Sequence, residues 1–131
     1  MLSKNQVLKI IEQYASSLKT LLQLNHCSIK WHVHHSKDKA LKAKGFMYTD
    51  CVAVCVWNHK KKRTKTYDII IFYDLQLSRK DTIGSIFHEL MHIRMRQWDG
   101  IIKTNPYSKT RRGNLEEQLV QLVEQVFLDS L

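Results

Sequence analysis

The stretch His88-Glu89-Leu90-Met91-His92 is the part of this 131-residue chain that decides how the rest is interpreted. On an α-helix, residues i and i+4 lie on one face about 40° apart around the axis, so both imidazoles can converge on one ion. Glu89 lies beside the first imidazole, where its carboxylate can act as general base on a water that the metal activates. The stretch therefore predicts a zinc site that holds one ion per chain.

The residues around this stretch predict an amphipathic helix from Asp81 to Gln97, with Ser78 or Asp81 as its start signal and Gly100 soon after its end. One apolar stripe would face the core: Ile83, Ile86, Phe87, Leu90 and Ile93. A neighbouring stripe would face a cleft: Ser85, His88, His92 and Met95. The simpler alternative is a helix whose histidines are only half-buried polar residues.

A catalytic zinc ion normally has three protein ligands and one open position, so a third donor is expected downstream. The stretch Asn114 to Leu131 predicts a second helix with two apolar stripes. The first stripe is Leu115, Leu119, Leu122 and Val126, and the second is Val120, Val123 and Phe127. A carboxylate on an inward stripe of this helix could complete the site.

Three glutamates of the second helix are candidates for the third ligand. Glu116 shares the stripe of Val120 and would point inward, where a buried carboxylate is tolerated if it coordinates a metal. Glu117 has another role available, because Asn114 as N-cap followed three residues later by Glu117 is a capping-box pattern. Glu124 lies on the more exposed stripe that it shares with Glu117. The order of preference is therefore Glu116, then Glu117, then Glu124.

Together these motifs resemble the gluzincin metallopeptidases, in which a His-Glu-x-x-His helix is followed by a second helix bearing a glutamate. The chain is most similar to minimal forms such as the ImmA/IrrE-type and small phage-encoded metallopeptidases. The resemblance covers roughly the second half of the chain, from residue 67 to residue 120. It implies a zincin-like fold, His88 and His92 as metal ligands, Glu89 as catalytic glutamate and Glu116 as third ligand.

Two related groups fit less well. Metzincins need a third histidine six residues after the second, and Trp98 occupies that position. SprT-like proteases, which act on protein crosslinked to DNA, share the first motif but are expected to have a later histidine or cysteine ligand. The sequence contains neither residue type after His92.

The whole chain predicts one α+β domain, residues 1–131, with the order helix, three-stranded mainly antiparallel sheet, active-site helix and C-terminal helix. The first helix would extend from Lys4 to Leu24, and the strands would be 26–34, 46–57 and 67–73. In the proteases that the chain resembles, an exposed strand edge pairs with an extended substrate. Here that edge would belong to strand 46–57 or strand 67–73.

Further polar residues could assist the reaction. A donor that steadies the oxyanion is expected in the polar stretch 99–113, with Tyr107 as the first candidate and Arg111 and Arg112 as the others. Ligating imidazoles generally donate their other N–H to a carboxylate or carbonyl, and Asp99, Glu117 and Glu124 are the nearby acids. For each residue of the stretch the simpler interpretation is a solvated loop side chain.

Composition limits the classes of function. The balance of 21 basic against 12 acidic residues gives a net charge of +9, which favours contact with nucleic acid or another acidic partner. Three cysteines without C-x-x-C spacing predict reduced thiols and a cytoplasmic setting. The sequence has no apolar run near the ~18 residues needed to cross a bilayer, and no N-terminal signal. We expect a cytoplasmic protein with a protein or peptide substrate, and nothing in the sequence indicates its oligomeric state.

Two other clusters have a functional and a plainer interpretation. The hairpin loop 58–66 carries basic residues that could bind phosphates: Lys60, Lys61, Lys62, Arg63 and Lys65. A charged tip that prevents sheet association explains them more simply, because aromatic residues are not interleaved with the charges. His32 and His34 share a strand face near His26, His35 and Cys27 and could bind a metal, although a solvated polar face is the simpler explanation.

Three functions follow. The first is a zinc-dependent metallopeptidase with Glu89 as general base. The second is a basic, nucleic-acid-associated zinc protein with a role like that of the SprT-like proteases. The third is an inactive zincin-like module that binds a partner, and the intact Glu89 argues against it.

Overall fold

The computed structural model describes residues 1–38, 52–57, 66–101 and 109–131, without the side chains of residues 56–57, 96–101 and 109–116. The elements are α1 (Lys4–Leu21), β1 (Ser28–His34), β2 (Ala53–Trp57), β3 (Thr66–Phe72), α2 (Arg79–Ile101) and α3 (Lys109–Asp129). A 3₁₀ turn, Tyr73–Leu75, follows β3. The predicted α+β class and the order of the elements are confirmed.

Helix α1 begins and ends at identifiable signals. Ser3 and Gln6 form a capping box, in which each side chain accepts a hydrogen bond from the backbone N–H of the other. The helix ends at Leu21, three residues before the predicted Leu24, because Gln23 adopts the left-handed conformation with φ 57°. That turn lets the backbone N–H of Leu24 donate to Lys19 and buries the Leu24 side chain completely.

The sheet is mixed, with the strand order β1-β3-β2. β3 pairs with β1 in parallel over seven residues, from Ser28 opposite Thr66 to His34 opposite Phe72. It pairs with β2 antiparallel over five residues. The prediction of a mainly antiparallel sheet is therefore wrong, because β1 lies beside β3 and not beside β2, the next strand along the chain.

The central place of β3 follows from its composition. Its last four residues, 69–72, are all buried, so the strand is covered on both faces. A strand of this kind carries a continuous apolar run and not an alternating pattern. Because β3 has hydrogen-bonded neighbours on both sides, it does not supply the free edge predicted for strand 46–57 or 67–73. Within the described sheet β2 lies at an edge, and it packs against α2.

Helix α2 has the predicted buried stripe, since Ile83, Ile86, Phe87, Leu90 and Ile93 are all at most 5% exposed. Ser78 serves as its start signal: its hydroxyl accepts a hydrogen bond from the backbone N–H of Asp81. The predicted end after Gln97 is wrong, because the helix continues through Gly100 to Ile101. Ser85 does not face a cleft as predicted. It is buried and donates to the side chain of Gln76.

Helix α3 packs against α2. Val120 is completely buried, and the ring of Phe127 stacks on Phe87 with 4.4 Å between centroids. The helix begins at Lys109, so Asn114 lies inside it and cannot be its N-cap. The predicted capping box of Asn114 with Glu117 is therefore wrong. Glu117 keeps no helix-end role, which leaves its carboxylate for other contacts.

Candidate metal centre

Three side chains from α2 and α3 meet at one point. Nε2 of His88 lies 3.1 Å from Nε2 of His92, one helical turn further along α2. Glu117 of α3 closes the triangle. Its Oε1 lies 3.0 Å from Nε2 of His88, and its Oε2 lies 2.8 Å from Nε2 of His92. Among the described residues, this is the one group of three histidine, cysteine or acidic side chains close enough to hold a metal ion.

The spacing of the three donors fits a small divalent cation. A tetrahedral zinc ion with ligand bonds of about 2.0–2.1 Å holds its ligand atoms about 3.3 Å apart. The three separations, 2.8–3.1 Å, fall short of that value by no more than about half an ångström. Rotamer adjustments of this size would open the triangle around an ion. The donor set, two imidazoles and one carboxylate, is of the kind that binds catalytic zinc.

Glu124 determines how the His88 ring is protonated. Its Oε2 lies 2.6 Å from Nδ1 of His88, the nitrogen on the far side of the ring from Glu117. A carboxylate can only accept a hydrogen bond, so Nδ1 carries the proton and donates a hydrogen bond to Glu124. In the neutral ring Nε2 then has a lone pair and can serve as a metal ligand. This is the arrangement typical of ligating histidines.

The surroundings of His88 favour positive charge. With Nδ1 protonated, the lone pair of His88 Nε2 faces the Glu117 carboxylate, and such a contact is favourable only if a proton or a metal ion lies between them. Burial of the ring opposes its charge and lowers the pKa of His88, but the hydrogen bond to Glu124 and the nearby carboxylate charges outweigh it. The pKa of His88 is therefore raised above its ordinary value of 6.5. A metal ion would supply the same positive charge permanently.

A glycine lets the two helices approach at the site. Gly84 lies one turn before His88 on α2, facing Glu124 and Leu128 of α3. A Cβ atom at this position would lie 3.0 Å from Oε1 of Glu124 and 3.2 Å from Cδ1 of Leu128. Both distances are tighter than ordinary contacts. The absence of a side chain at Gly84 therefore allows α3 to bring Glu124 to His88.

Glu89 is a buried carboxylate next to the site. Its side chain is 6% exposed, on the same helix as His88 and His92. Its negative charge contributes to the raised pKa of His88, which requires the two groups to be near each other. An acid in this position has the surroundings expected of a general base that is shielded from bulk water.

The predicted site residues divide into those that the structure describes and those that it does not. His88, His92 and the second-choice ligand Glu117 come together. Glu116, the first choice, lies in α3, but its side chain is outside the described part, as are those of Asp99, Arg111 and Arg112. Tyr107 and the basic loop residues Lys60, Lys61, Lys62, Arg63 and Lys65 also lie outside the described residues. Their roles stay predictions.

From the sequence, Glu124 is one of three acids that could accept a hydrogen bond from a ligating histidine, and the other two are Asp99 and Glu117. A signal for it exists in the sequence. Glu117, Val120 and Glu124 recur at i, i+3 and i+7, so both carboxylates lie on one face beside a buried valine. Packing this face against the core brings two carboxylates close to a buried valine, which is unfavourable unless a cation lies beside them.

Two further histidines, His32 and His34, form a second cluster on β1. Nε2 of His32 lies 2.9 Å from Oδ1 of Asp68, and Nδ1 of His34 lies 3.3 Å from Oδ2 of Asp38. The two rings are stacked with 6.3 Å between centroids. Each imidazole has a carboxylate of its own, which favours the interpretation of this face as a polar surface.

Comparison of the chain with protein-family models, with curated proteins and with solved structures finds no match. None of the helices searched within the described residues is long and apolar enough to cross a membrane.

Proposed function

We propose that this protein is a zinc-dependent metallopeptidase that hydrolyses peptide bonds of a protein substrate, with a zincin-like active site. The observation that carries the proposal is the convergence of His88, His92 and Glu117 within 3.1 Å of one another beside the buried Glu89. Structural zinc sites are usually closed by four protein ligands, whereas catalytic sites have three and leave one position open. Among the described residues three donors converge, and together with the adjacent acid they favour catalysis.

Two imidazoles and a carboxylate suit zinc, because zinc prefers nitrogen ligands and a tetrahedral arrangement. When bound, zinc supplies Lewis acidity, which lowers the pKa of a water molecule and polarises the substrate carbonyl. His88 and His92 hold the ion from one rigid helix, and Glu117 holds it from the next. Glu124 keeps the His88 ring in the protonation state that ligation needs.

Glu89 would move the proton in this reaction. Its carboxylate accepts a proton from the attacking water and passes it to the nitrogen of the leaving amine, so one residue acts as base and then as acid. Burial supports this role, because it shields the transferred proton from bulk water.

The substrate would bind along β2. This strand lies at the edge of the described sheet and packs against α2, which carries both histidines. An extended peptide can add to such an edge through main-chain hydrogen bonds, which hold the scissile amide without requiring a particular side chain. The substrate segment would therefore be extended or unfolded when it is cleaved.

The proposal is tested with the purified chain and denatured casein, with cleavage products identified by mass spectrometry. We expect cleavage that is lost after chelation and restored by zinc. Glu89→Gln should keep one zinc per chain but lower turnover by at least about 100-fold, because general acid–base catalysis contributes 10²–10⁴-fold. The matched control is Glu12→Gln, the same change at an exposed position of α1. It should cleave like the wild type.

Two results would contradict the proposal. One is equal turnover by the wild type and Glu89→Gln, which would show that any cleavage comes from a contaminant. The other is a zinc-loaded wild type that cleaves neither casein nor a mixed peptide library. That result would favour a zincin-like module that binds a partner without hydrolysing it.

A further inference from the structure

Glu117, the candidate metal ligand from α3, receives a hydrogen bond from its own helix. Gln121 lies one helical turn further along α3, and its side-chain Nε2 lies 3.3 Å from Oε1 of Glu117. A carboxylate can only accept a hydrogen bond, so the amide of Gln121 is the donor. The same Oε1 lies 3.0 Å from Nε2 of His88. Gln121 therefore contacts an oxygen that belongs to the candidate metal centre.

Glu117 is the least enclosed of the three candidate ligands. Its side chain is 42% exposed, whereas those of His88 and His92 are 18% and 14% exposed. A half-exposed glutamate has several rotamers available, and holding it in one of them costs conformational entropy. A donor on the same helix offsets part of this cost, because it favours the rotamer in which the carboxylate faces the imidazoles.

With this contact, α2 and α3 each carry a candidate ligand that has a supporting residue on α3. His88 donates to Glu124 at 2.6 Å, and Glu117 accepts from Gln121. Replacing a residue that hydrogen-bonds a metal ligand typically lowers metal affinity by about 10–100-fold. The contact of Gln121 is longer than that of Glu124 and joins more exposed side chains, so its effect should lie at the lower end of this range.

The simpler interpretation is a surface pair of a glutamine and an acid at helical spacing. Helix α3 contains another such pair, since Gln125 donates to Asp129 at 2.7 Å over the same interval of four residues. Its hydrogen bond is the shorter of the two. The pairs differ in what the acid faces, because both oxygens of Glu117 lie within 3.0 Å of an imidazole nitrogen and Asp129 is outside the group of converging donors.

We propose that Gln121 is a positioning residue of the metal centre, whose amide holds the Glu117 carboxylate in the orientation that binds the ion. The inference rests on the proposed function in one respect, because it requires the metal that the peptidase would use. It does not require peptide hydrolysis. Metal binding by the purified chain therefore decides it, whether or not a substrate is cleaved.

The test measures zinc affinity by competition with a chromogenic chelator. Gln121→Met removes the donor but keeps the length of the side chain and its helix propensity. We expect the dissociation constant for zinc to rise about tenfold. Gln125→Met is the matched control, the same change in the pair with the shorter hydrogen bond. It should bind zinc like the wild type, and denaturant titration of the metal-free proteins checks that both variants keep the stability of the fold.

Two further measurements separate positioning from a general effect on the helix. Glu117→Ala removes the acceptor, so adding Gln121→Met to it should not weaken zinc binding further. A structural role of Gln121 would persist in that background. The visible absorption spectrum of bound Co²⁺ depends on the arrangement of its ligands. It should change in Gln121→Met and match the wild type in Gln125→Met.

Equal zinc affinity in Gln121→Met and Gln125→Met would overturn the proposal. A loss that persists at about tenfold in the Glu117→Ala background would also overturn it, because the effect would not pass through Glu117. A wild type that binds zinc but cleaves no peptide would contradict the proposed function alone. A wild type that binds no zinc would overturn both.

Discussion

Two regions within the described residues bring pairs of histidines together with acids, and one of these regions forms a candidate metal site. Between α2 and α3, the Nε2 atoms of His88 and His92 lie 3.1 Å apart and share the carboxylate of Glu117. On β1, His32 contacts Asp68 and His34 contacts Asp38, so each ring has a separate partner. Both regions combine imidazoles with carboxylates. The difference is whether the donor atoms converge.

The helical spacing and the strand spacing account for this difference. Residues i and i+4 of a helix project from one face towards the same point, and a second helix can close that point from the side. Residues i and i+2 of a strand project in parallel, so their rings stack without sharing a donor. Convergence therefore depends on the element that carries the histidines more than on how many there are.

The largest effect is expected from removing a ligating imidazole. Loss of a residue that only supports a metal ligand lowers affinity by up to about 100-fold. Because His92 would itself be a ligand, His92→Ala should lower zinc affinity by more than that. His34→Ala, the same change in the β1 cluster, should leave affinity unchanged. Competition with a chromogenic zinc chelator measures both. An equal loss in the two variants would mean that the clusters do not differ as the geometry indicates.

The second prediction separates the two adjacent glutamates. Glu117→Ala should release zinc from the purified protein, because Glu117 is the carboxylate that contacts both imidazoles. Glu116→Ala should retain one equivalent. Elemental analysis of the two variants decides between them. Loss of zinc in Glu116→Ala alone would move the third ligand by one position and restore the preference predicted from burial.

These two glutamates also mark the limit of what the sequence can predict. The spacing of His88, Glu89 and His92 is a local property of one helix, so the sequence predicts it directly. Which glutamate faces them depends on how α3 is rotated about its axis, since adjacent residues differ by about 100°. That rotation follows from the packing of Val120 and from the close approach at Gly84. Both are tertiary contacts, and the spacing of Glu117, Val120 and Glu124 alone does not determine them.

The same reasoning applies to the fold. The buried stripe of α2 and the order of elements are predicted by periodicity, because each helix or strand repeats at its own interval. The partner of β1 is β3, and the two paired segments begin at Ser28 and Thr66, far apart in the sequence. No local pattern specifies this pairing. The apolar run 69–72 did contain a clue, because a strand buried on both faces belongs at the centre of a sheet.

A third, smaller effect is expected at Glu124. Glu124→Gln can still accept a hydrogen bond from Nδ1 of His88 but removes the charge, so zinc affinity should fall by about 10–100-fold. Asp129→Asn removes a charge from the same helix at an exposed position and serves as the control. Its affinity should match that of the wild type. If Glu124→Gln binds zinc as tightly as this control, the carboxylate does not support the ligand.

Gly84→Ala should affect both the site and the stability of the fold. The added methyl group must displace Glu124 or Leu128, and such overpacking costs about 1–3 kcal/mol. Replacing a helical glycine with alanine returns about 1 kcal/mol, so the net loss in free energy of unfolding should be at most about 2 kcal/mol. Zinc affinity should fall by less than in Glu124→Gln. Denaturant titration and zinc competition measure the two effects, and Lys80→Ala on the same helix is the control.

The smallest effect is expected near the β1 cluster, at Asp74. Burial of this carboxyl raises its pKa, but hydrogen bonds from the Ser36 hydroxyl and backbone outweigh that effect, so the pKa of Asp74 is lowered from 3.8. A lowered folded-state pKa stabilises the fold above pH 3.8, and this stabilisation is lost as the pH falls through the folded-state value. Ser36→Ala should lower the free energy of unfolding by about 1 kcal/mol at pH 7 and by less in acid. Urea titrations at several pH values test this. A difference in free energy of unfolding between wild type and Ser36→Ala that grows as the pH falls would contradict it.

The most direct test of the central claim is a crystal structure of the zinc-loaded protein with anomalous data collected at the zinc edge. The account predicts one anomalous peak about 2.0–2.2 Å from Nε2 of His88, Nε2 of His92 and a carboxylate oxygen of Glu117. It also predicts that Glu124 still accepts the hydrogen bond from His88. A peak between His32 and His34, or no peak between α2 and α3, would contradict the account.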